Sequence, residues 1–210
     1  MARYTGPTCR LCRHLGDKLT LKGDKCSTAK CPFERRSRPT RGRTSAQRRS
    51  RISDRGLQLR EKQKVRFSYG VLERQFRCFF AKAAKSTGST GENVLILMER
   101  RLDNVVYRLG FASSRSQARQ IVRHGHILVN GHKVNIPSYV VKSGDVIKWR
   151  EGSTKTEYYK KLIEEIGSKN IPGWLSLDKE KLIGSILTLP DKNDLDPKFD
   201  VKAIVKYYSR

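Results

Sequence analysis

Residues 114–149 read SRSQARQIVRHGHILVNGHKVNIPSYVVKSGDVIKW, and their punctuation decides the fold. Ser114 followed three residues later by Gln117 is a capping-box pattern that opens a short helix, and Gly125 is placed to end it. Ala118, Ile121 and Val122 share the inward face of that helix. The run from His126 to Val129, then Asn130-Gly131, then His132 to Ile136 predicts a hairpin. Asn-Gly supplies the positive φ angles that a two-residue turn demands. Tyr139 to Val141 and Val146 to Trp149, separated by a turn at 142–145, are expected to add strands. Helices followed by a small antiparallel sheet make an α+β module, so the fold class is α+β.

Upstream of this module, Val94, Leu95, Met98, Leu102, Val105, Val106 and Leu109 fall on one stripe, which predicts a single helix ended by Gly110. Leu72, Phe76, Phe79, Phe80 and Ala83 mark an earlier amphipathic helix. Residues 35–66 form a basic arm with 13 Lys and Arg against Asp54 and Glu61, and a helix is expected in it from near Ser45 to Phe67. The tail, 151–210, reads as one helix at 156–166 among Pro-, Gly- and Asp-rich loops.

The composition narrows the function. Among 210 residues, 45 Lys and Arg face 20 Asp and Glu, a formal charge of +25. A small soluble domain stays dispersed with about 2–8 net charges. An excess of this size repels itself until a polyanion neutralises it. The longest apolar run, Val94 to Met98, is five residues; a spanning helix needs about 20. With no apolar stretch before the first cysteine, no secretory signal is expected, and the protein is read as intracellular with neither a membrane nor a small-molecule substrate as partner. No nucleophile–base pair or nucleotide loop stands out, so an enzyme is not expected. Two-cysteine, two-histidine finger spacing and heptads are absent as well, which argues against a zinc-finger DNA regulator.

Cys9 and Cys12, then Cys26 and Cys31, form two short pairs divided by a loop. Two such pairs can close a tetrahedral four-thiolate site, and zinc is the expected ion. An iron–sulfur cluster uses the same ligands and stays open as the alternative. All four positions would be protein thiolates, so the metal is read as structural. Cys78 lies apart and reads as a surface thiol.

Arg115, Arg119 and Arg123 recur at i, i+4 and i+8 on the helix opened by Ser114, a ladder suited to phosphate contacts. Almost no carboxylate stands near them in sequence. His124, His126, Asn130 and Lys133 add polar groups at the helix end and the hairpin. The arm supplies Arg35, Arg36, Arg41, Arg43, Arg48, Arg49, Arg60, Lys62 and Lys64 as further candidates for phosphate contact, and Arg101 and Arg108, which precede the module, join them.

The run from Arg101 to Gly131 closely resembles the signature of the bacterial small-subunit ribosomal protein four family, whose namesake RNA-binding domain also occurs in pseudouridine synthases and some tRNA synthetases. Arg60-Glu-Lys-Gln-Lys, Tyr69-Gly, Glu73-Arg-Gln-Phe and the closing Tyr208-Ser-Arg look like the same family, and the four-cysteine N-terminus resembles its zinc-binding branch. The resemblance spans essentially the whole chain. It implies a protein that binds 16S rRNA through its 5′ domain early in small-subunit assembly, in the cytoplasm. It further implies a place near the mRNA entrance, beside small-subunit proteins five and three, and a contribution to translational accuracy. The implied architecture is a four-cysteine segment and basic arm at 1–43 and a helical domain at 44–92 completed by 186–210. Residues 93–185 would be inserted between them and would carry the RNA-binding module at 99–150. RNA contact is implied for Arg101, Ser114, Arg115, Arg119, Arg123, His126, Asn130 and Lys133. One departure stands out: the family's Pro-Gly-x-His-Gly loop is replaced here by Pro39-Thr40-Arg41-Gly42-Arg43, which puts that histidine's contact in doubt.

Overall fold

Three apolar clusters organise the described residues, and each follows from a sequence stripe finding a partner. The computed structural model describes residues 4–37 and 53–209. Arg41, Arg43, Arg48, Arg49, the expected helix start near Ser45 and the departing loop at Pro39 to Arg43 lie outside the described residues.

The N-terminal unit holds α1 (Thr8–Leu15) and α2 (Pro32–Ser37), joined through a short 3-10 turn at Gly23–Cys26. Its core is small: Cys12, Leu15 and Leu19, with Leu21, Phe33 and Phe67 against them. The helical core packs Val65 of α3 (Asp54–Ser68), Phe76 and Ala83 of α4 (Glu73–Ala84), and Val94, Leu95 and Met98 of α5 (Thr90–Glu99). Ile204 of the C-terminal helix α9 (Val201–Tyr208) completes it, so the chain's end returns to a domain begun some 140 residues earlier.

The third and largest core belongs to α6 (Leu102–Arg108), α7 (Arg115–Arg123), α8 (Glu157–Glu165) and a five-stranded antiparallel sheet. The strands are β1 (Ile127–Val129), β2 (His132–Lys133), β3 (Val146–Trp149), β4 (Leu175–Asp178) and β5 (Ile183–Ile186), in spatial order β2-β1-β3-β5-β4. Register places Ile127 opposite Trp149, Val146 opposite Ser185 and Leu175 opposite Ile186. The expected hairpin forms: Asn130 and Gly131 both take positive φ, 50° and 82°. At Gly184 in β5, an added Cβ would stand 2.5 Å from a methyl of Leu109, so glycine lets helix and sheet close together.

Four expectations are corrected. The stripe from Val94 to Leu109 is two helices, α5 and α6, broken at Arg100–Arg101. Segment 137–141 captures the backbone at the break: Leu102 N–H donates to Tyr139 O at 2.8 Å, Asp103 N–H to Pro137 O, and Val141 N–H to Arg100 O. Tyr139 to Val141 is consequently no sheet strand; it makes one isolated bridge, Val140 to Arg101. Because the break separates the cores, α5 packs in the helical core and not with the domain proposed to begin at residue 93. The tail, read as one helix and loops, contributes β4 and β5, whose short alternations (Leu175-Ser-Leu, Ile183-Gly-Ser-Ile186) become strands as β5 pairs onto β3 and β4 onto β5.

Candidate nucleic-acid interface

The helix α7 begins as its sequence requires. Ser114 is its N-cap and its hydroxyl accepts from Gln117 N–H at 3.3 Å. The return half of the box is displaced by one residue: Gln117 Oε1 accepts from Ser113 N–H at 3.0 Å and the Ser113 hydroxyl at 2.8 Å.

The arginine ladder does not form one solvated face. Arg119 is buried and its Nη1 donates to Asp103 Oδ2 at 3.0 Å. Arg101, fully buried, donates through Nε and Nη2 to both oxygens of the same carboxylate at 3.0 and 2.7 Å. Arg115 Nε donates to Asn104 Oδ1 at 2.7 Å, and its guanidinium lies over the rings of Tyr69 and Tyr107, 4.7 and 4.8 Å from their centroids. Arg123 alone of the three is exposed. The reason is Asp103, the only carboxylate between Arg100 and Gly144. A buried charge needs a partner, and one acid in a basic stretch draws the cations nearest to it in space. That isolated Asp was the available signal, and sequence distance hid its role.

Glu99 anchors a similar cluster at the end of the preceding helix. Its fully buried carboxylate accepts from Arg108 Nε (3.0 Å) and Nη2 (2.8 Å), Asn104 Nδ2 (2.7 Å) and Tyr69 Oη (2.5 Å). Arg108 is therefore an internal clamp between the two cores. Lys62 is likewise buried, donating to Glu73 Oε2 at 2.7 Å, while Tyr208 Oη of α9 donates to Glu73 Oε1 at 2.8 Å. Burial lowers the Lys62 pKa although Glu73 works against it. Lys64 pairs with Asp17 and Glu61, both at 2.5 Å.

The remaining candidates sort by exposure. Arg35, Arg123, His124, Asn130 and Lys133 are exposed; Arg60 and His126 are half-buried. The backbone places Arg36 in α2. Asn130 has both ends of its amide committed: Nδ2 donates to Asp145 Oδ1 and Oδ1 accepts from Val146 N–H, each at 2.8 Å. His126 Nδ1 and the Ser153 hydroxyl share a 2.8 Å hydrogen bond. Burial, then the charges of His124, Arg150 and Lys133, lower the His126 pKa.

In the N-terminal unit, Cys12, Cys26 and Cys31 are buried and Cys9 is half-buried, all with free thiols. Lys22 N–H donates to Cys26 Sγ at 3.4 Å. Burial pushes the Cys12 thiol up; a hydrogen bond from Leu19 opposes this, and the Cys26, Cys9 and Cys31 sulfurs reinforce it. The Cys12 sulfur thus senses the other three, and the donor set is right in kind for a soft or borderline metal. Among the described residues, no group of three or more His, Cys, Asp or Glu side chains is arranged to hold a metal ion. Cys78 is exposed, as expected for a surface thiol.

Comparison with known proteins accounts for both halves of this arrangement. A family model described as ribosomal protein S4/S9 N-terminal domain matches residues 3–99, and one described as S4 domain matches residues 100–147. The two meet where the α5–α6 break separates the cores. Small ribosomal subunit protein uS4 of Dehalococcoides mccartyi (strain CBDB1) is 57% identical over 210 residues, 100% of both chains. The proteins of the same name from Geotalea daltonii and Halothermothrix orenii are 53% and 52% identical, again over 100% of both chains. Matched along its whole length, and by both domain models in order, the chain belongs to the uS4 family of small-ribosomal-subunit proteins, a family of ribosomal structural proteins and not of enzymes.

Proposed function

We propose that this protein is a structural, rRNA-binding constituent of the small ribosomal subunit that holds 16S rRNA through its 5′ domain and acts early in assembly. The observation that carries this reading is the division of its cations into two populations. Arg101, Arg108, Arg119 and Lys62 are spent on Asp103, Glu99 and Glu73: Lys62 is held within the helical domain, Arg101 and Arg119 are held within the module, and Arg108 joins the two. Arg35, Arg123 and Lys133 are exposed, within a chain whose net charge of +25 demands an external polyanion. RNA contact is assigned to this second population, to His124 and His126, and to the arm with Arg36, Arg41, Arg43, Arg48 and Arg49. The buried group acts as scaffold beneath it. Recognition of folded RNA then rests on shape, phosphate and 2′-hydroxyl contacts held at a fixed spacing.

The finer role follows from the family resemblance: cytoplasmic, near the mRNA entrance, beside small-subunit proteins five and three, with an effect on translational accuracy. Cys9, Cys12, Cys26 and Cys31 are proposed to hold structural zinc, which would staple a unit whose own core is three buried residues.

The test is competition binding at two salt concentrations. Labelled 5′-domain rRNA competes with unrelated RNA and with duplex DNA of equal length. Preference for the rRNA that persists at higher salt is expected, and equal binding to all three that collapses with salt would refute the reading. For the metal, one equivalent of zinc should protect Cys9, Cys12, Cys26 and Cys31 from alkylation and leave Cys78 reactive. Uniform reactivity of all five in the presence of zinc would refute that assignment.

A further inference from the structure

A cavity of about 230 Å³ lies between the C-terminal half of α7, β3 and the start of α8, lined by Gln117, Gln120, His124, His126, Trp149 and Tyr158 among others. Its walls are rings. His124 and His126 centroids are 5.9 Å apart, His126 and Trp149 6.4 Å, and Trp149 and Tyr158 6.2 Å, giving a continuous aromatic arc. The arc is held in place: Tyr158 Oη donates to Phe111 O at 2.8 Å, His126 is fixed on Ser153, and Trp149 is in the core. Its polar edge is neutral. Gln117 commits its oxygen to Ser113, leaving the amide nitrogen as the end facing new partners. Trp149 carries a buried indole N–H with no acceptor among the described residues.

Among the described residues, no carboxylate lines this cavity. Lys133 and Arg150, both exposed, lie within electrostatic reach of His126, and the Lys133 stem passes over Gly125. Rings, amide edges and exposed cations close to His126 are the chemistry of a nucleotide: a base among the rings, a phosphate at the cations. A sealed apolar space of roughly 150 Å³ already admits benzene, so the volume suits one heteroaromatic base.

We infer that this cavity captures a single unstacked nucleobase of the bound RNA, with Gln117, Gln120, Trp149 and Tyr158 contacting the base and Arg150, with Lys133, meeting its phosphate. The inference rests on the rRNA-binding reading and adds to it a base-sized site of defined chemistry.

The test is ultraviolet cross-linking of the full-length protein to the 5′-domain transcript, with adducts mapped by mass spectrometry and affinity measured over a salt series. Cross-links at His124, Trp149 or Tyr158 are expected. Gln120→Trp, an exposed position at the cavity, should abolish them and weaken binding about tenfold or more, the scale of a lost base–aromatic stack. Its salt slope should stay unchanged, because no phosphate contact is removed. His124→Ala, on an exposed ring, is measured beside it and should weaken the same cross-links even if the bulkier replacement alters the fold. Undiminished cross-linking and affinity in either folded variant, or no wild-type adduct at those rings, overturns the pocket and leaves rRNA binding standing. Protection of the rings by free nucleoside monophosphates at concentrations below those of RNA binding would assign a free nucleotide and overturn it as well. Loss of wild-type preference for the 5′-domain transcript would instead count against the ribosomal reading, with the cross-link map still deciding the pocket.

Discussion

Asp103 shows how one carboxylate redirects two cations. Its two oxygens take Arg101 and Arg119 inside the protein, and its neighbour Asn104 takes Arg115. Replacing Asp103 by Ala leaves two buried guanidiniums without their counter-charge, so a loss of roughly 3–5 kcal/mol is expected in urea unfolding. Asp103→Ala with stability near wild type would show that these arginines find water or other partners. Glu99 makes a second prediction, in pH. Burial opposes its ionisation, but the hydrogen bonds and charge of Arg108, the charge of Arg115 and the Tyr69 hydroxyl outweigh burial and hold its pKa below the ordinary 4.5. A carboxyl depressed in the folded state contributes stability that is full above its unfolded pKa and is lost as pH falls through the folded one. Urea midpoints should therefore decline below pH 4.5, and Glu99→Gln should reduce that decline while lowering stability at neutral pH.

At the scale of elements, the joint between α5 and α6 matters most. One apolar stripe continues across it, yet the helix breaks because Arg101 is an extended N-cap whose flanking backbone groups pair with residues 137–141. Periodicity cannot report such a break, since it depends on a partner segment some 40 residues away. The return of α9 to α5 is equally non-local, and it is tight. A Cβ on Gly91 would stand 2.2 Å from a Val201 methyl and 3.1 Å from the Val201 carbonyl oxygen. Gly91→Ala should accordingly cost about 1–3 kcal/mol by overpacking. Hydrogen exchange should show the loss concentrated in α9, and unaltered protection there would contradict the packing argument.

For the whole molecule, the decisive quantity is the charge left after internal pairing. Binding to 5′-domain rRNA should weaken with salt, and its log–log slope should become shallower by roughly 0.7–0.9 for each phosphate contact removed. Arg123→Ala and Lys133→Ala, both exposed, should each reduce the slope by about that amount without lowering the melting temperature. Asp103→Ala should do the reverse, lowering stability first. If Arg123→Ala left the slope untouched, the exposed end of α7 would not be part of the phosphate-contacting face.

Much of the module was legible in residues 114–149 because its signals are local. A cap at Ser114, the Asn130-Gly131 turn and the alternation in Val146 to Trp149 act within a few residues and need no distant partner. The exposed position of Cys78 and the amphipathic α4 were readable for the same reason. What tertiary structure alone decided is which cations face the solvent. Arg115, Arg119 and Arg123 are equivalent by spacing, yet the first two turn inward to Asn104 and Asp103. Their fate depends on where α6 lies, and that depends on the segment at 137–141. Likewise β4 and β5 are strands only because β3 offers an edge, and the aromatic cavity exists only because α7, β3 and α8 meet. Short-range propensity acts through neighbouring dihedrals, whereas burial and charge pairing act through space, and the sequence is silent on space until the chain has folded.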